Sequence, residues 1–395
     1  MEYRKLPKGG EQISILGLGN SSMGASGEKE VEAAVTMAVE NGINYFDMAA
    51  ADAVPFAPFG RAVEGCRDKV YFQVHFGAEY RTGTYGWTLN LEKIKRSVDW
   101  QLEMLKTDYI DFGFIHCIDE AADLEKVISG GTLDYMKELK ADGVIRHIGL
   151  SSHTPEIVEK VLDMGLIDML MFSINPAYDY RHGEYAIGSV DERTALYRRC
   201  EAEGVGISVM KAFSAGQLLN AKTSPFKQAL TEYQCIQYAL DKPGVVTVLP
   251  GVRGREDLKR ILGFLDAAPE EKDYSVLGSF APQDAEGICV YCNHCQPCPA
   301  GLDVGLINKY YDLAQAGDVS AAAQLLLAVW RSPYDEKITN RLMQASLQRL
   351  LMIFSPHGEL FGKEYKEISR QIFFDMISLG IGKIGIRGYG KSEIM

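Results

Sequence analysis

The chain alternates between short apolar runs and longer stretches in which apolar residues recur every three or four positions. Each apolar run has the length of a buried strand, and the periodic stretches between the runs are typical of amphipathic helices. The eight runs occupy 13–19, 43–49, 70–76, 109–116, 145–152, 168–175, 206–213 and 245–251. The pattern therefore predicts strands that alternate with helices.

The stretch 28–42 illustrates the helical pattern, because its apolar side chains fall on one face and Gly42 provides a stop signal. That face consists of Val31, Ala34, Val35 and Ala38. Similar stretches occupy 91–106, 154–165 and 192–204. The segment TPEIVEK, which begins at residue 154, opens with a capping residue and a proline, as helices commonly do.

Eight strand–helix units in roughly 250 residues match the number of units and the length that are typical of a (β/α)8 TIM barrel. An open, doubly wound sheet is the competing architecture. The runs end in polar residues, and in a barrel these ends meet at the C-terminal mouth, where barrel enzymes carry their chemistry. The polar residues are Asp47, His75, His116, Ser151, Asn175 and Lys211.

The pattern changes after residue 266, where a polar connector leads to a cysteine-rich run and then to a tail with helical periodicity. We place a domain boundary near residue 284. The predicted fold class is α/β, with a (β/α)8 barrel over 1–284 and a smaller, mainly helical C-terminal domain over 285–395.

The composition and the net charge limit the kinds of molecule that the protein is expected to bind. The 395 residues are 47% hydrophobic and 24% charged, and the net charge is −12. This acidic balance argues against nucleic acid and against an anionic membrane surface. The sequence shows no N-terminal signal segment and no run of about 18 apolar residues. We therefore expect a cytoplasmic protein that acts on a small-molecule substrate.

Four of the eight cysteines lie within ten residues, in CVYCNHCQPCP from residue 289 onward. Cys-x2-Cys spacing directs successive thiolates at one centre and is typical of a 4Fe-4S cluster. A zinc site is the rival, although its two cysteine pairs are usually further apart. We predict a 4Fe-4S cluster at Cys289, Cys292, Cys295 and Cys298, with Cys298 either the fourth ligand or not a ligand. The other cysteines, Cys66, Cys117, Cys200 and Cys235, are expected to be single thiols.

Several segments resemble the aldo-keto reductase superfamily, specifically its bacterial branch with a C-terminal 4Fe-4S cysteine motif. They are MEYRKLPKGGEQISILGLG, GINYFDMA, TDYIDFGFIH, IRHIGLSSHTPE, MKAFSAGQL and VLPGVRG. They occur in the same order and span residues 1 to about 310. The resemblance implies a barrel that reduces carbonyls with NADPH and uses an Asp, a Tyr, a Lys and a His at its mouth.

The catalytic residues carry over only in part. The aspartate matches Asp47 and the histidine matches His116, but Asp52 stands at the tyrosine position and His75 at the lysine position. An aspartate is a poor substitute for a tyrosine proton donor, because it is mostly ionised at neutral pH. Tyrosines that could replace the missing proton donor follow two of the predicted strands, namely Tyr80, Tyr85, Tyr178 and Tyr180.

Asp47, Asp52, His75 and His116 form the predicted catalytic set, and three interpretations stay open. An Asp47–His75 hydrogen bond would make His75 a general base. Two histidines and a carboxylate would also suit a divalent metal. Alternatively, His75 merely fills the space of the missing lysine.

The resemblance also implies a nucleotide site. Ser151 and Asn175 would hold the nicotinamide, the Ser214–Gly216 turn the pyrophosphate, and Lys211 and Arg253 the phosphates. Asp257 and Ile261 stand where the family commonly has an arginine and an asparagine for the adenosine 2′-phosphate. NADP(H), NADH, a flavin or no nucleotide therefore stay open.

The predicted function is an iron–sulfur oxidoreductase with a non-standard mouth, which leaves room for a redox partner protein. The alternatives are a lyase or isomerase that uses Asp47, His75 and His116 for proton transfer, and an inactive barrel that serves electron transfer. His153 and His182 are interpreted as lone loop histidines without a function.

Overall fold

The computed structural model of the chain describes residues 1–180 and 185–279. The strands are β1 (Tyr3–Lys5), β2 (Gln12–Ser14), β3 (Leu18–Gly19), β4 (Tyr45–Asp47), β5 (Tyr71–Phe76), β6 (Ala78–Glu79), β7 (Gly86–Trp87), β8 (Ile110–Ile115), β9 (Ile145–Ser152), β10 (Met169–Ser173), β11 (Gly206–Met210) and β12 (Val245–Val248). The predicted cluster cysteines, the C-terminal domain, the boundary near 284 and His182 lie outside the described residues.

Helices follow the barrel strands. They are α1 (Glu28–Glu40), α2 (Phe56–Val63), α3 (Leu91–Leu105), α4 (Ala121–Ser129), α5 (Thr132–Ala141), α6 (Pro155–Asp163), α7 (Pro176–Asp179), α8 (Val190–Ala202), α9 (Glu232–Leu240), α10 (Arg255–Leu262) and α11 (Pro269–Lys272). In the described ranges, no helix combines the length and the apolar character that crossing a bilayer requires.

Eight parallel strands form one sheet in the order β3, β4, β5, β8, β9, β10, β11, β12. The two edges of this sheet join through a parallel bridge between Leu16 and Val248. The amide of Gly17 donates to the Val248 carbonyl at 2.9 Å, and the amide of Val248 donates to the Ile15 carbonyl at 2.9 Å. The sheet is thereby closed, which confirms the predicted barrel over the open sheet.

The period of two along each strand decides which side chains face the barrel interior. Tyr45, Phe112, Phe114 and Met171 belong to one buried apolar cluster that fills this interior. Asp47 follows Tyr45 by two positions and His116 follows Phe114 by two. Both therefore face the same interior, one step closer to the mouth.

The β1–β2 hairpin covers the end of the barrel at which the strands begin. Arg4 donates to the carbonyls of Leu240 at 2.8 Å and Val245 at 2.7 Å. Lys8 donates to the Ile167 carbonyl at 2.8 Å. Because this end is covered, the opposite end is the one that a substrate can enter.

Two local expectations differ from the structure. The predicted strand 13–19 is divided into β2 and β3, with Ile15 to Gly17 making the closure contacts between them. Thr154 does precede Pro155 at the start of α6, but its hydroxyl makes no capping hydrogen bond. Instead, the Ser152 hydroxyl accepts a hydrogen bond from the Thr154 amide at 3.1 Å.

Candidate active site

Four side chains at the mouth form one continuous series of hydrogen bonds, which we name the mouth relay (Asp47, His75, His116 and Tyr85). Asp47 Oδ1 lies 2.7 Å from His75 Nε2, and His75 Nδ1 lies 2.9 Å from His116 Nδ1. His116 Nε2 in turn lies 2.9 Å from the Tyr85 hydroxyl. The first three residues are buried, whereas Tyr85 is 41% exposed. The relay therefore joins a buried carboxylate to a phenol that reaches solvent.

Barrel register positions the buried part of the relay. His75 pairs with Phe114 between β5 and β8, and the His116 amide extends this pairing by donating to the Phe76 carbonyl at 3.0 Å. Asp47 is the last residue of β4, the other neighbour of β5. The three side chains thus come from adjacent strands, which explains why they meet.

Tyr85 reaches the relay from a small hairpin of β6 and β7 that follows β5. Its amide donates to the Ala51 carbonyl at 3.2 Å, so the loop after β4 holds the hairpin in place. The Trp87 indole N–H of the same hairpin donates to the His116 carbonyl at 3.3 Å. The hairpin is therefore tied to both sides of the relay.

Gln73 orients the carboxylate end. Its Oε1 accepts hydrogen bonds from the Tyr45 hydroxyl and, at 3.2 Å, from the Ser208 hydroxyl. These two donors leave the amide nitrogen facing Asp47, and it donates to Oδ1 at 2.8 Å. Gln73 is not among the predicted site residues, although its position two residues before His75 places it on the same face of β5.

The hydrogen-bond directions follow from the chemistry of the groups. The carboxylate form of Asp47 can only accept, so His75 Nε2 donates to it. A neutral His75 then accepts at Nδ1 from His116 Nδ1–H, and His116 accepts at Nε2 from the Tyr85 hydroxyl. In this state every proton of the relay points toward Asp47.

The electrostatic environment keeps the outer part of the relay uncharged. Burial and the neighbouring His75 hold the pKa of His116 well below its ordinary value. Burial, together with Cys117 and Tyr185, raises the pKa of Tyr85 to about 12. His116 is therefore a neutral imidazole and Tyr85 a protonated phenol at neutral pH, as the hydrogen-bond directions require.

Asp52 lies apart from the relay. Its Oδ1 accepts a hydrogen bond from the Val54 amide at 2.9 Å. Its carboxylate packs so closely on Gly24 that a Cβ there would lie 2.0 Å from Oδ2. The structure thus brings together three of the four predicted catalytic residues and records no hydrogen bond from Asp52 to them within the described part of the chain.

The four tyrosines that could replace the missing proton donor also differ in position. Tyr85 contacts His116 directly. Tyr80 is buried and packs against Phe56 and Trp100. Tyr178 and Tyr180 are 4% and 6% exposed after β10. Tyr85 is therefore the tyrosine best placed to meet a substrate.

Ser151 and Asn175 stand at the ends of β9 and β10, as predicted, and both are buried. The Asn175 amide group has local partners, since Oδ1 accepts from the Tyr178 amide at 2.9 Å and Nδ2 donates to the Lys211 carbonyl at 2.8 Å. Asn175 therefore also joins the loop after β10 to the loop after β11.

The predicted pyrophosphate turn has an unusual backbone. Ser214, Ala215 and Gly216 are consecutive residues with φ of 49°, 52° and 84°. Ala215 and Gly216 are exposed. The Ser214 and Gly216 amides donate to the Lys211 and Phe213 carbonyls at 2.8 and 3.0 Å, so both are already hydrogen-bonded within the turn. Lys211 begins this loop, and its ammonium lies 4.3 Å from the centre of the Tyr185 ring.

Arg253, predicted to meet a phosphate, is paired with a carboxylate of the chain. Its Nε lies 2.8 Å from Asp257 Oδ2, and its amide donates to the same oxygen at 3.1 Å. Arg260 contacts Asp257 Oδ1 at 2.7 Å, and Glu30 accepts from the Arg255 amide at 2.8 Å. The start of α10 is thus already occupied by two of the chain's own carboxylates.

Comparison with known proteins agrees with this fold. Residues 15–234 match the profile described as Aldo/keto reductase family. A Bacillus subtilis protein named "Uncharacterized oxidoreductase YqkF" is 28% identical over 309 residues, which span 72% of this chain and 98% of that protein.

Solved structures match over a similar span. The holo form of aldo-keto reductase AKR11C1 from Bacillus halodurans superposes with a TM-score of 0.58 at 24% identity and covers 71% of this chain and 97% of its own. An aldo/keto reductase from Klebsiella pneumoniae, solved with NADP and acetate, superposes with a TM-score of 0.53 at 19% identity over 71% and 96% of the two chains.

Proposed function

Because this chain belongs to the aldo/keto reductase family, we propose that it interconverts an alcohol and a carbonyl group on a small organic substrate and that Tyr85 exchanges the proton. The mouth relay is the observation that supports this proposal most strongly. It supplies an exposed phenol in place of the tyrosine that Asp52 has replaced. His75, in place of the lysine, connects that phenol to Asp47.

The direction of the hydrogen bonds defines the proton route for alcohol oxidation. The substrate hydroxyl gives its proton to the Tyr85 oxygen, and Tyr85 gives its own proton to His116 Nε2. His116 then passes its Nδ1 proton to His75, and His75 passes its Nε2 proton to Asp47. Tyr85, His116 and His75 each gain one proton as they lose one, so the net change is a protonated Asp47 and a relay that points outward.

Carbonyl reduction uses the same route in reverse. Asp47 returns its proton through the two histidines, and Tyr85 donates to the oxygen that gains charge. The buried carboxylate thus acts as the proton store for both directions. Burial of the three inner residues excludes water from the route.

A bound nicotinamide nucleotide would accept or supply the hydride. Ser151, Asn175 and the turn at Ser214–Gly216 are the residues that would hold it. The turn is exposed at Ala215 and Gly216, which leaves it accessible to a diphosphate. The carboxylates of Glu30 and Asp257 at the start of α10 do not favour a further phosphate there. We therefore expect NADH to bind at least as well as NADPH.

Binding and turnover together test this function. Nicotinamide fluorescence would be titrated with the protein, and NADH oxidation would be followed with glyceraldehyde and 4-nitrobenzaldehyde as carbonyl probes. We expect saturable binding and probe-dependent oxidation. Absence of NADH and NADPH binding at millimolar nucleotide would contradict the proposal.

A second candidate is a lyase or isomerase in which the relay removes a proton without hydride transfer. The paired carboxylates at the start of α10 favour it, because they weaken one part of the nucleotide site. The same titration separates the two candidates, since a lyase or isomerase of this kind needs no nicotinamide.

We also propose that Cys289, Cys292, Cys295 and Cys298 bind a 4Fe-4S cluster that exchanges electrons with a redox partner protein. The support is the Cys-x2-Cys spacing in the sequence. Anaerobic purification followed by iron and sulfide analysis tests it. Zinc without iron in the purified protein would show that the site is a zinc site.

A further inference from the structure

We propose that Cys117, Asp119 and His153 form a binding site for a zinc-class divalent cation beside the mouth relay. The sequence predicts that Cys117 is a single thiol and His153 a lone loop histidine. The loops after β8 and β9 bring them together. One nitrogen of His153, the Cys117 sulfur and a carboxylate oxygen of Asp119 all lie within 4.8 Å of one another.

The separations approach those of a bound tetrahedral ion. Zinc binds sulfur at about 2.3 Å and nitrogen or oxygen at about 2.0–2.2 Å, so neighbouring ligands are about 3.3–3.6 Å apart. Asp119 Oδ2 lies 3.8 Å from the Cys117 sulfur and 2.9 Å from His153 Nδ1. Asp119 Oδ2 is thus within about half an ångström of the tetrahedral separation from each of its two neighbours.

The backbone holds the three ligands in place. Asp119 Oδ1 accepts hydrogen bonds from the His153 amide at 2.5 Å and from the Ser152 hydroxyl at 3.1 Å. The Ile118 amide, between Cys117 and Asp119, donates to the Ser151 carbonyl at 3.0 Å. The two loops are thus fixed to each other before any ion binds, which lowers the cost of assembling the site.

His153 is buried beside the other two ligands. The residue is 4% exposed, and its Nδ1 lies 2.9 Å from Asp119 Oδ2, so Nδ1 is the nitrogen that faces the site. Its ring stacks on Tyr185 at 4.3 Å between ring centres, which holds the ring in this orientation.

The site would leave one position for a ligand from outside the protein. Three protein ligands on zinc usually leave the fourth position to water or a substrate oxygen. Cys117 directly follows His116 of the relay. The ligand class for the fourth position is therefore a hydroxyl or carbonyl oxygen that enters the mouth.

Alkylation mapped by mass spectrometry tests the site, because it reads Cys117 separately from the cluster cysteines. Full-length protein would react with N-ethylmaleimide in zinc or in EDTA, and Cys66, which is half-buried, would be the internal reference. We expect zinc to slow alkylation of Cys117 at least about tenfold and to leave Cys66 unchanged. The His153→Gln variant should lose the protection, and Asp119→Asn should weaken it.

Three outcomes would overturn the proposal. These are equal Cys117 alkylation in zinc and in EDTA, equal protection of Cys66, and full protection retained in folded His153→Gln. If the variants do not fold, cobalt titration of the wild-type chain remains decisive. A thiolate-to-cobalt band should be present in wild-type protein and diminished in Cys117→Ser, and equal bands in the two proteins would contradict the site.

Discussion

Gln73 shows how one buried amide can fix the direction of proton transfer. Its carbonyl oxygen is occupied by two hydroxyl donors, so its nitrogen must face Asp47. Asp47 then receives N–H groups from both Gln73 and His75. This arrangement stabilises the carboxylate and makes it the end point of the relay.

Replacing Gln73 by methionine would leave the Tyr45 and Ser208 hydroxyls and one Asp47 contact without their partner. Buried polar groups that lose a partner cost about 1–3 kcal/mol each, so we expect these three losses to lower the free energy of unfolding by at least about 3 kcal/mol. Urea unfolding measures it. Tyr45→Phe removes only one of these hydrogen bonds and should cost less, and an equal or larger loss there would contradict the argument.

The cofactor prediction rests on Asp257. Hydrogen bonds from Arg253 oppose the effect of burial and hold the pKa of Asp257 well below its usual range, so the residue is ionised. Asp257→Asn would remove this charge and free two arginines for a phosphate. We expect the ratio of NADPH to NADH affinity to rise about five- to tenfold, measured by fluorescence titration.

Glu232→Gln is the matched control for Asp257→Asn, because Glu232 pairs with Arg260 at 3.3 Å and not with Arg253. It should change the affinity ratio far less than Asp257→Asn does. An unchanged ratio in Asp257→Asn would show that the start of α10 does not face the nucleotide.

Among the elements, the β6–β7 hairpin contributes most to the site. It carries Tyr85 and Trp87, and both contact His116. Its strands have only two residues each, which is too short for an alternating hydrophobic pattern that would predict them. The barrel strands were predicted because each is a buried apolar run, whereas the hairpin depends on backbone contacts with the loop after β4.

The β1–β2 hairpin at the opposite end leads to a pH prediction. His147 lies between Glu11 at 2.9 Å and Asp168 at 3.0 Å. Burial lowers the pKa of His147, but hydrogen bonds to the two carboxylates outweigh burial and raise it above its ordinary value of 6.5. Protonated His147 therefore contributes stability that is complete below pH 6.5 and is lost as the pH rises through the folded-state pKa.

Urea unfolding of wild type and His147→Gln between about pH 5.5 and 8.5 measures this contribution. We expect the difference in the free energy of unfolding between the two proteins to be largest at the acidic end and to shrink as the pH rises. A difference that is constant or grows with pH would contradict the assignment.

Across the whole molecule, the two ends of the barrel have different tasks. The β1–β2 hairpin covers one end, where Arg4, Lys8 and His147 make the contacts. The other end carries the mouth relay and the loops that follow the strands. The sequence predicts the mouth, because the apolar runs end in polar residues that meet there. It also places Asp47, His75 and His116 together, since their strands are neighbours in the barrel.

The sequence could not place the outer half of the site. Tyr85 depends on a hairpin without a periodic pattern, and Cys117 and His153 meet only through two irregular loops. Asp52 was selected by its alignment position, yet its carboxylate caps the Val54 amide. Such outcomes depend on loop geometry and side-chain reach, which hydrophobic patterning does not encode.

Comparison of Tyr85→Phe with Tyr3→Phe tests the central claim most directly. Both tyrosines are 41% exposed, but the Tyr3 hydroxyl donates to the Gly42 carbonyl far from the mouth. With 4-nitrobenzaldehyde and NADH, we expect Tyr85→Phe to lower kcat by about 10²-fold or more while the nucleotide Kd stays unchanged. Tyr3→Phe should retain wild-type kcat. Equal kcat values in the two variants would contradict the relay as the proton route.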